Sequence, residues 1–304
     1  MTSLSDQIRT RASEIGFEKV GIAAAVPLTV EGERLDAWLG RGYHGEMAWM
    51  EQHLEKRTDP RLLFPGARSV IVVAHNYYTP HEHTAAGKIS RYAWGDDYHD
   101  VVRDKLKDLL AWIKSVEPAA EGKACVDTAP MMDKAWAVRA GLGWIGKHSN
   151  VITTEIGSWI FIGSILLNIE LDADTDTVDD HCGTCTACLD ACPTGAIVEP
   201  YIVDSRKCIS YATIELRGDE LPREIAENLD GWLYGCDICQ DVCPWNRFET
   251  PTIETRFEPR LGETSLDPDA VAALTHDEYV ERFRRSAMKR AKLGGLKRNA
   301  KYIK

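Results

Sequence analysis

Eight of the nine cysteines in this 304-residue chain fall between Cys182 and Cys243, in tight runs that end in proline. A secreted disulfide framework would spread its cysteines along the chain. Thiolates this close together read instead as metal ligands in a reducing compartment. The first run is Cys182-x2-Cys185-x2-Cys188-x3-Cys192-Pro193. The second is Cys236-x2-Cys239-x3-Cys243-Pro244, and Cys208 upstream can supply the member it lacks. Paired Cys-x2-Cys also binds zinc, but zinc does not need a triple run with a terminal Cys-Pro, used twice. Two [4Fe-4S] clusters use all eight thiols.

Three closely spaced thiolates can wrap three irons of one cube. A fourth, after a turn that proline supports, points away from it. The first run has the bacterial ferredoxin spacing, in which that fourth cysteine ligates the other cluster. The reciprocal assignment is Cys182, Cys185, Cys188 and Cys243 on one cluster, with Cys192, Cys208, Cys236 and Cys239 on the other. Two clusters within tunnelling distance conduct single electrons without saying what is reduced. A ferredoxin needs only a fraction of this length, so the remainder must receive the electrons or position a substrate.

The elements ahead of the cysteines alternate between helix and strand. Helices are expected over Leu4–Ile15, Val30–Gly40, Asp97–Val116 and Met131–Ala140. In the third of these Val101, Val102, Leu106, Leu109, Leu110 and Ile113 fall on one face. Strands are expected over Val20–Ala24, Ser69–Ala74 and Lys123–Val126, with a strand pair across Gly157 within Val151–Leu171. Five aspartates in the nine residues 172–180 form an acidic, linker-like stretch. The expected units are therefore 1–172, 173–250 and a basic helical segment 251–304, with Gly294-Gly295 interrupting the last helix.

Other motifs narrow the choice. Gly87-Lys88-Ile89-Ser90-Arg91-Tyr92-Ala93-Trp94-Gly95-Asp96-Asp97-Tyr98-His99 resembles a segment of the epoxyqueuosine reductases, cobalamin-dependent enzymes of tRNA modification. So do Val126-Asp127-Thr128-Ala129-Pro130 and Ala140-Gly141-Leu142-Gly143-Trp144-Ile145-Gly146-Lys147-His148. Cys208-Ile209-Ser210-Tyr211 and the segment from Tyr234 to Asn246 complete a colinear match over roughly residues 1–300. The resemblance implies an α+β protein: a nitroreductase-like α/β domain binding cobalamin, a ferredoxin-like two-cluster module and a short helical C-terminus. It implies that epoxyqueuosine at the wobble position of a tRNA anticodon is reduced to queuosine. Long members of the family continue into a helical-repeat domain, which this chain does not match.

The resemblance puts Asp127 in the family's proton-donor position. Opening an epoxide leaves a developing alkoxide that needs an acid nearby, and a carboxyl keeps a proton at neutral pH only if desolvation raises its pKa. The alternative is that Asp127 caps the helix beginning near Pro130. Asp133 is the second candidate acid. Asp97-x-His99-x-x-Val102 half-matches a cobalt-ligating Asp-x-His-x-x-Gly motif but lacks its glycine, so His99 is read as structural; the resemblance implies a corrin whose cobalt has no protein ligand. Arg57, Arg91, Tyr92, Trp144, Lys147, His148 and Asn150 are expected at the cobalamin, with Ser210, Gly235, Asp237 and Ile238 touching it from the cluster side. Gly141-x-Gly143-x-x-Gly146 follows a helix rather than a strand, the wrong context for a dinucleotide site. It is read as a loop whose glycines admit the corrin. Cys125, the ninth cysteine, is read as a buried, inert thiol.

Charge points to partners. The net charge is −11, yet residues 281–304 carry ten Lys or Arg against one Glu, leaving −20 on the rest. Such a segment is either a solvated, poorly ordered helix or a polyanion contact. With the resemblance it is expected to meet the phosphates of a tRNA anticodon stem-loop. An external low-potential donor such as a flavodoxin or ferredoxin is expected, with the chain acting as a monomer. The N-terminus lacks a signal-peptide pattern, and the apolar stretch Trp159–Leu167 falls far short of the ~20 residues of a spanning helix. These point to the cytoplasm and no membrane. Two readings compete: a cobalamin- and iron–sulfur-dependent reductive dehalogenase or similar small-molecule reductase, and a simple electron carrier.

Overall fold

The structure, a computed structural model, describes residues 3–303. Its central sheet has four antiparallel strands in the order Lys19–Ala24, Ser69–Asn76, Ile160–Leu167 and Gly122–Cys125. Every residue of Ser69–Asn76 is buried, which explains its run of β-branched residues instead of an alternating pattern. Ile71 and Val73 face the helices Leu4–Ile15 and Tyr98–Val116, packing with Ile8, Ala12, Val102, Leu106 and Leu109. Val70 and Val72 face the other way, onto Trp136 and Ala137 of the helix Asp133–Arg139.

Where a strand pair across Gly157 was expected, the structure divides the segment. Val151–Ile152 pairs with Trp144–Ile145 in a small sheet of its own, whereas Ile160–Leu167 joins the central sheet. Gly157 makes a bridge back to Thr153, so the turn is present but its two arms part company.

A second core draws on all three expected units. Gly87–Ile89 pairs in parallel with Trp232–Tyr234 and antiparallel with Ser265–Leu266. Leu233, Tyr234, Ile209, Tyr279, Phe283 and Leu296 pack around this sheet. The acidic stretch is anchored too. Asp174 accepts a 2.8 Å bond from Arg9 Nη2 and a 2.7 Å bond from the backbone N–H of Ile22.

The basic C-terminus is a core element, not a loose helix. Arg298 is 2% exposed and donates to the carbonyls of Ala212, Leu216 and Gly218. Asn299 donates to those of Thr213 and Leu233. Arg282 pairs with Glu263 and Arg290 with Glu215. Gly294 and Gly295 lie inside the helix Lys292–Ala300 without interrupting it. The break comes earlier, at Lys292, where φ is +62°.

Candidate active site

A cavity of about 1,030 Å³ lies between the α/β sheet layer and the second core. Its wall brings together Tyr92, Tyr98, His99 and Asp127 from the first part, Cys208, Ser210 and Tyr234 from the cysteine module, and Lys289, Arg290 and Lys292 from the C-terminus.

Asp127 follows the strand Gly122–Cys125 and adopts a left-handed φ of +50°. It does not cap the next helix, which starts at Asp133 behind Met132. Its Oδ2 accepts a 2.7 Å hydrogen bond from the Tyr98 hydroxyl and lies 3.2 Å from His99 Nε2. His99 Nδ1 lies 2.7 Å from Asp97 Oδ1, and Asp97 also caps the helix Tyr98–Val116 by accepting the His99 N–H. Two carboxylates thus face the two ring nitrogens, an arrangement suited to an imidazolium, which donates from both. Burial opposes that charge, but bonds to Asp127 and Asp97 outweigh it and push His99 up to about 9.

The electrostatics of Asp127 run opposite to a stored proton. Burial by itself would raise its pKa, but the bonds from His99 and Tyr98, the imidazolium charge and Lys134 bring it below the ordinary carboxylate range. Asp133, the first residue of its helix, behaves as a desolvated carboxyl. Burial, reinforced by the Asp127 charge, raises it to about 7, and its Oδ1 is buried without a hydrogen-bond partner.

A smaller cavity of about 110 Å³ is lined by Cys182, Cys185, Cys188 and Cys243 together with Ala187 and Trp245. Cys188 is pushed up to about 11 by burial and then by the charges of Cys243, Cys182 and Cys185. The other four thiols also act on one another. Burial raises Cys236, and the charges of Cys208 and Cys239 raise it further; Cys239 is likewise raised by burial and then by the charges of Cys208 and Cys192, among others. The helices Ala187–Ala191 and Ile238–Asp241 pack together. Each ends near a Cys-Pro at which the chain turns extended, with ψ of 108° at Cys192 and 121° at Cys243, as the residue before proline prefers. Among the described residues no three His, Cys, Asp or Glu side chains converge as the ligands of a single ion would.

The expected cobalamin residues divide between places. Arg57, Tyr92, Asp127 and Ser210 line the large cavity. Arg57 is already committed, donating to the carbonyls of Gln52 and Trp49. Lys147 and His148 line the small cavity instead, and Trp144 packs with Cys243. Lys147 Nζ donates to the carbonyls of Gly183 and Cys185, while Asn150 accepts from Lys134. Burial and the Lys134 charge bring His148 down to about 4.

Arg91 lies over Tyr78, Trp94 and Trp159. Its backbone N–H is held by the buried Asp237, which also takes the Ser90 hydroxyl. Ile238 packs against the second core. Gly235, at φ +72°, lets the chain pass Ser90, whose Cβ an added Cβ would meet at 2.3 Å. The glycine loop serves a similar purpose: a Cβ at Gly143 would stand 2.0 Å from the Ile152 carbonyl oxygen. Its close approach is to a neighbouring strand, where a corrin was expected. Cys125 is buried, and burial pushes it up to about 12.

Sequence reading passed over Tyr98, Tyr234 and the role of His99. The available signal was Asp97-Tyr98-His99 at a helix start, where a capping aspartate and the residue two further on are forced into proximity.

The large cavity suits a bulky planar cofactor. Tyrosines and Trp49 supply apolar faces to its wall, and Asp97 and Asp127 occupy both His99 ring nitrogens.

Comparison with known proteins gives two family profiles: "Epoxyqueuosine reductase QueG, DUF1730" over residues 57–128 and "4Fe-4S double cluster binding domain" over residues 181–246. An epoxyqueuosine reductase of Cellulophaga algicola is 50% identical over 302 residues, covering 99% of this chain and 98% of its own length. A crystal structure of epoxyqueuosine reductase with an epoxyqueuosine-modified tRNA-Tyr stem loop superposes with a TM-score of 0.90 at 32% identity, covering 98% of this chain and 80% of that one. The Bacillus subtilis epoxyqueuosine reductase, solved with its catalytic aspartate loop swung out of the active site, gives 0.89 at 32% identity and the same coverage.

Proposed function

Because the chain belongs to the epoxyqueuosine reductase family, we propose that it reduces the epoxide of epoxyqueuosine at the tRNA wobble position to queuosine. The observation that carries the reading is the shared wall of the large cavity. A proton-handling group, Asp127 with Tyr98 and His99, and a cluster thiol, Cys208, open onto the same space.

Removing the epoxide oxygen as water takes two electrons and two protons per substrate. The thiols Cys182, Cys185, Cys188 and Cys243 would hold one [4Fe-4S] cluster and Cys192, Cys208, Cys236 and Cys239 the other. Tyr92, Ser210 and the tyrosine-lined wall would hold cobalamin, which when bound would supply a strongly reducing one-electron metal centre beside the strained C–O bond.

The remaining work belongs to side chains. In the free protein the proton rests on His99, because two carboxylates stabilise the imidazolium. Asp127 stands between that proton and the cavity with 61% of its side chain exposed. It relays a proton from His99 to the oxygen released by the opened ring, and His99, reprotonated from solvent, supplies the second by the same route, so that the oxygen leaves as water. Asp97 holds the ring in line, and Tyr98 fixes the carboxylate from the other side. Lys289 and Lys292 at the rim supply phosphate contacts for the RNA. Electrons come from a separate low-potential donor protein.

The test is anaerobic. Reconstituted protein with eight irons, cobalamin, a chemical reductant and tRNA carrying epoxyqueuosine should yield nucleosides one oxygen lighter, and only when cobalamin is present. Conversion without cobalamin, or none with all cofactors loaded, would reject the assignment.

A further inference from the structure

Two of the chain's cations sit where an L-residue strains the backbone. Arg285 holds φ at +55°, and Lys292 stands at φ +62° and ψ 162°. The first is left-handed, and the second is a conformation that essentially only glycine adopts. Gly294 and Gly295 follow Lys292 closely, yet at both strained points the chain keeps a long cationic side chain. Such strain gathers at ligand clamps and active sites, where the surrounding structure over-determines it.

The turn between these residues is pinned to the acid relay. The Arg285 carbonyl takes the backbone N–H of Asp97 at 2.8 Å, and Asp97 holds His99. The Ala287 carbonyl takes the Tyr234 hydroxyl at 2.6 Å, and the Tyr234 oxygen accepts from the Tyr92 hydroxyl at 3.0 Å. Tyr92 packs edge-on against Tyr98, whose hydroxyl bonds Asp127. Lys289, Arg290 and Lys292 of the turn line the large cavity. Glu215 neutralises Arg290. Arg285, Lys289 and Lys292 are exposed and have no carboxylate partner among the described residues, on a chain whose net charge is −11.

We propose that Arg285 and Lys292 are the two jaws of a phosphate clasp, with Lys289 between them, that grips the RNA backbone on either side of the nucleotide entering the cavity. The strained backbone is retained because the turn needs that path and the RNA needs the charge. Since the clasp is bonded to the relay, phosphates seated on it bring the neighbouring nucleotide up to Asp127. The clasp presupposes the RNA substrate proposed above. Its contacts are made equally in the ground and transition states, so they set KM and not kcat.

The probe is a fluorescein-labelled tRNA anticodon stem-loop with guanine at the wobble position, bound to the protein carrying both clusters and followed by anisotropy across a salt series. Lys292→Gly and Arg285→Gly should each weaken binding about three- to tenfold near 0.1 M salt and lower the salt slope of log Kd by about 0.7–0.9. Lys292→Arg should keep the affinity. Lys292→Gly should also raise Tm by a few degrees, because the backbone is relieved; a lysine kept for the fold would give the reverse. Leu261 supplies the control, being left-handed at φ +57°, 81% exposed and away from the cavity wall. Leu261→Gly should leave RNA affinity unchanged. With epoxyqueuosine-bearing tRNA, the two clasp variants should raise KM by the same factor as Kd and hold kcat within about twofold.

Unchanged affinity and salt slope in the two glycine variants would overturn the proposal, as would a fall in Tm at Lys292→Gly or an equal loss of affinity in Leu261→Gly. The stem-loop carries no epoxide, so binding is read independently of the chemistry. Weakened binding in the glycine variants with no conversion by the unaltered protein would keep the clasp and reject the epoxide assignment. Normal conversion with unaltered binding would reject the clasp alone.

Discussion

At Asp127 and His99 each partner sets the charge of the other. The imidazolium lowers the carboxylate, and two carboxylates raise the imidazole to about 9. Asp127→Asn keeps the shape but cannot relay a proton, so turnover should fall about 10²–10⁴-fold with cobalamin and eight irons still bound; single-turnover nucleoside analysis decides it. The pH profile tests His99. Activity should decline as pH rises through about 9, where the imidazolium is lost, and His99→Gln should flatten that limb while lowering the plateau. Stability shifts with the same sign. A group raised above its unfolded value of 6.5 contributes fully below that pH, and its contribution is lost as pH rises through about 9. A thermal-unfolding series across pH 6–10 should show the loss in the native protein and not in His99→Gln. Cys125 and the aspartate were legible as inert thiol and acid candidate. The protonation order was not, because it depends on Tyr98 and His99 arriving from a helix 28 residues earlier in sequence.

Elements were readable where one face repeats. Helix Leu4–Ile15 and the buried strand starting at Ser69 stand where periodicity places them, since each satisfies its hydrogen bonds locally or buries a continuous apolar run. Segments whose partners are remote were not: Val151–Ile152 and Ile160–Leu167 look like one hairpin in sequence but join different sheets. Gly143 shows the cost of that arrangement. Gly143→Ala would force Cβ within 2.0 Å of the Ile152 carbonyl oxygen, so about 2–4 kcal/mol of stability should be lost, measured by denaturant unfolding. The cavity beside Cys188 gives a second test at this scale. Cys243→Ala should abolish the spectroscopic signal of the cluster on Cys182, Cys185 and Cys188 and leave the other in place. Loss of the other signal instead would contradict the crossed ligation.

Across the whole molecule, the boundaries suggested by composition do not divide the packing. The sheet of Gly87–Ile89, Trp232–Tyr234 and Ser265–Leu266 takes one strand from each expected unit, and no local pattern in three such short strands could announce it. Charge was equally ambiguous as a one-dimensional quantity: the C-terminal +9 mixes cavity-rim lysines with arginines that serve the fold. Arg298 is the clearest case, because its guanidinium closes the helix Ile209–Ile214 by taking the carbonyls of Ala212, Leu216 and Gly218. That helix begins at Cys208 and carries Ser210, so the last helix of the chain braces both a cluster thiol and the cavity wall. Arg298→Met keeps much of the side-chain volume but leaves three carbonyls without their donor, at a cost of about 2–4 kcal/mol. Because the loss falls on the Cys208 side, iron release on mild heating should start with the cluster on Cys192, Cys208, Cys236 and Cys239. If both clusters are lost together, or the first goes before the second, the C-terminal helix supports the fold generally and does not brace that thiol.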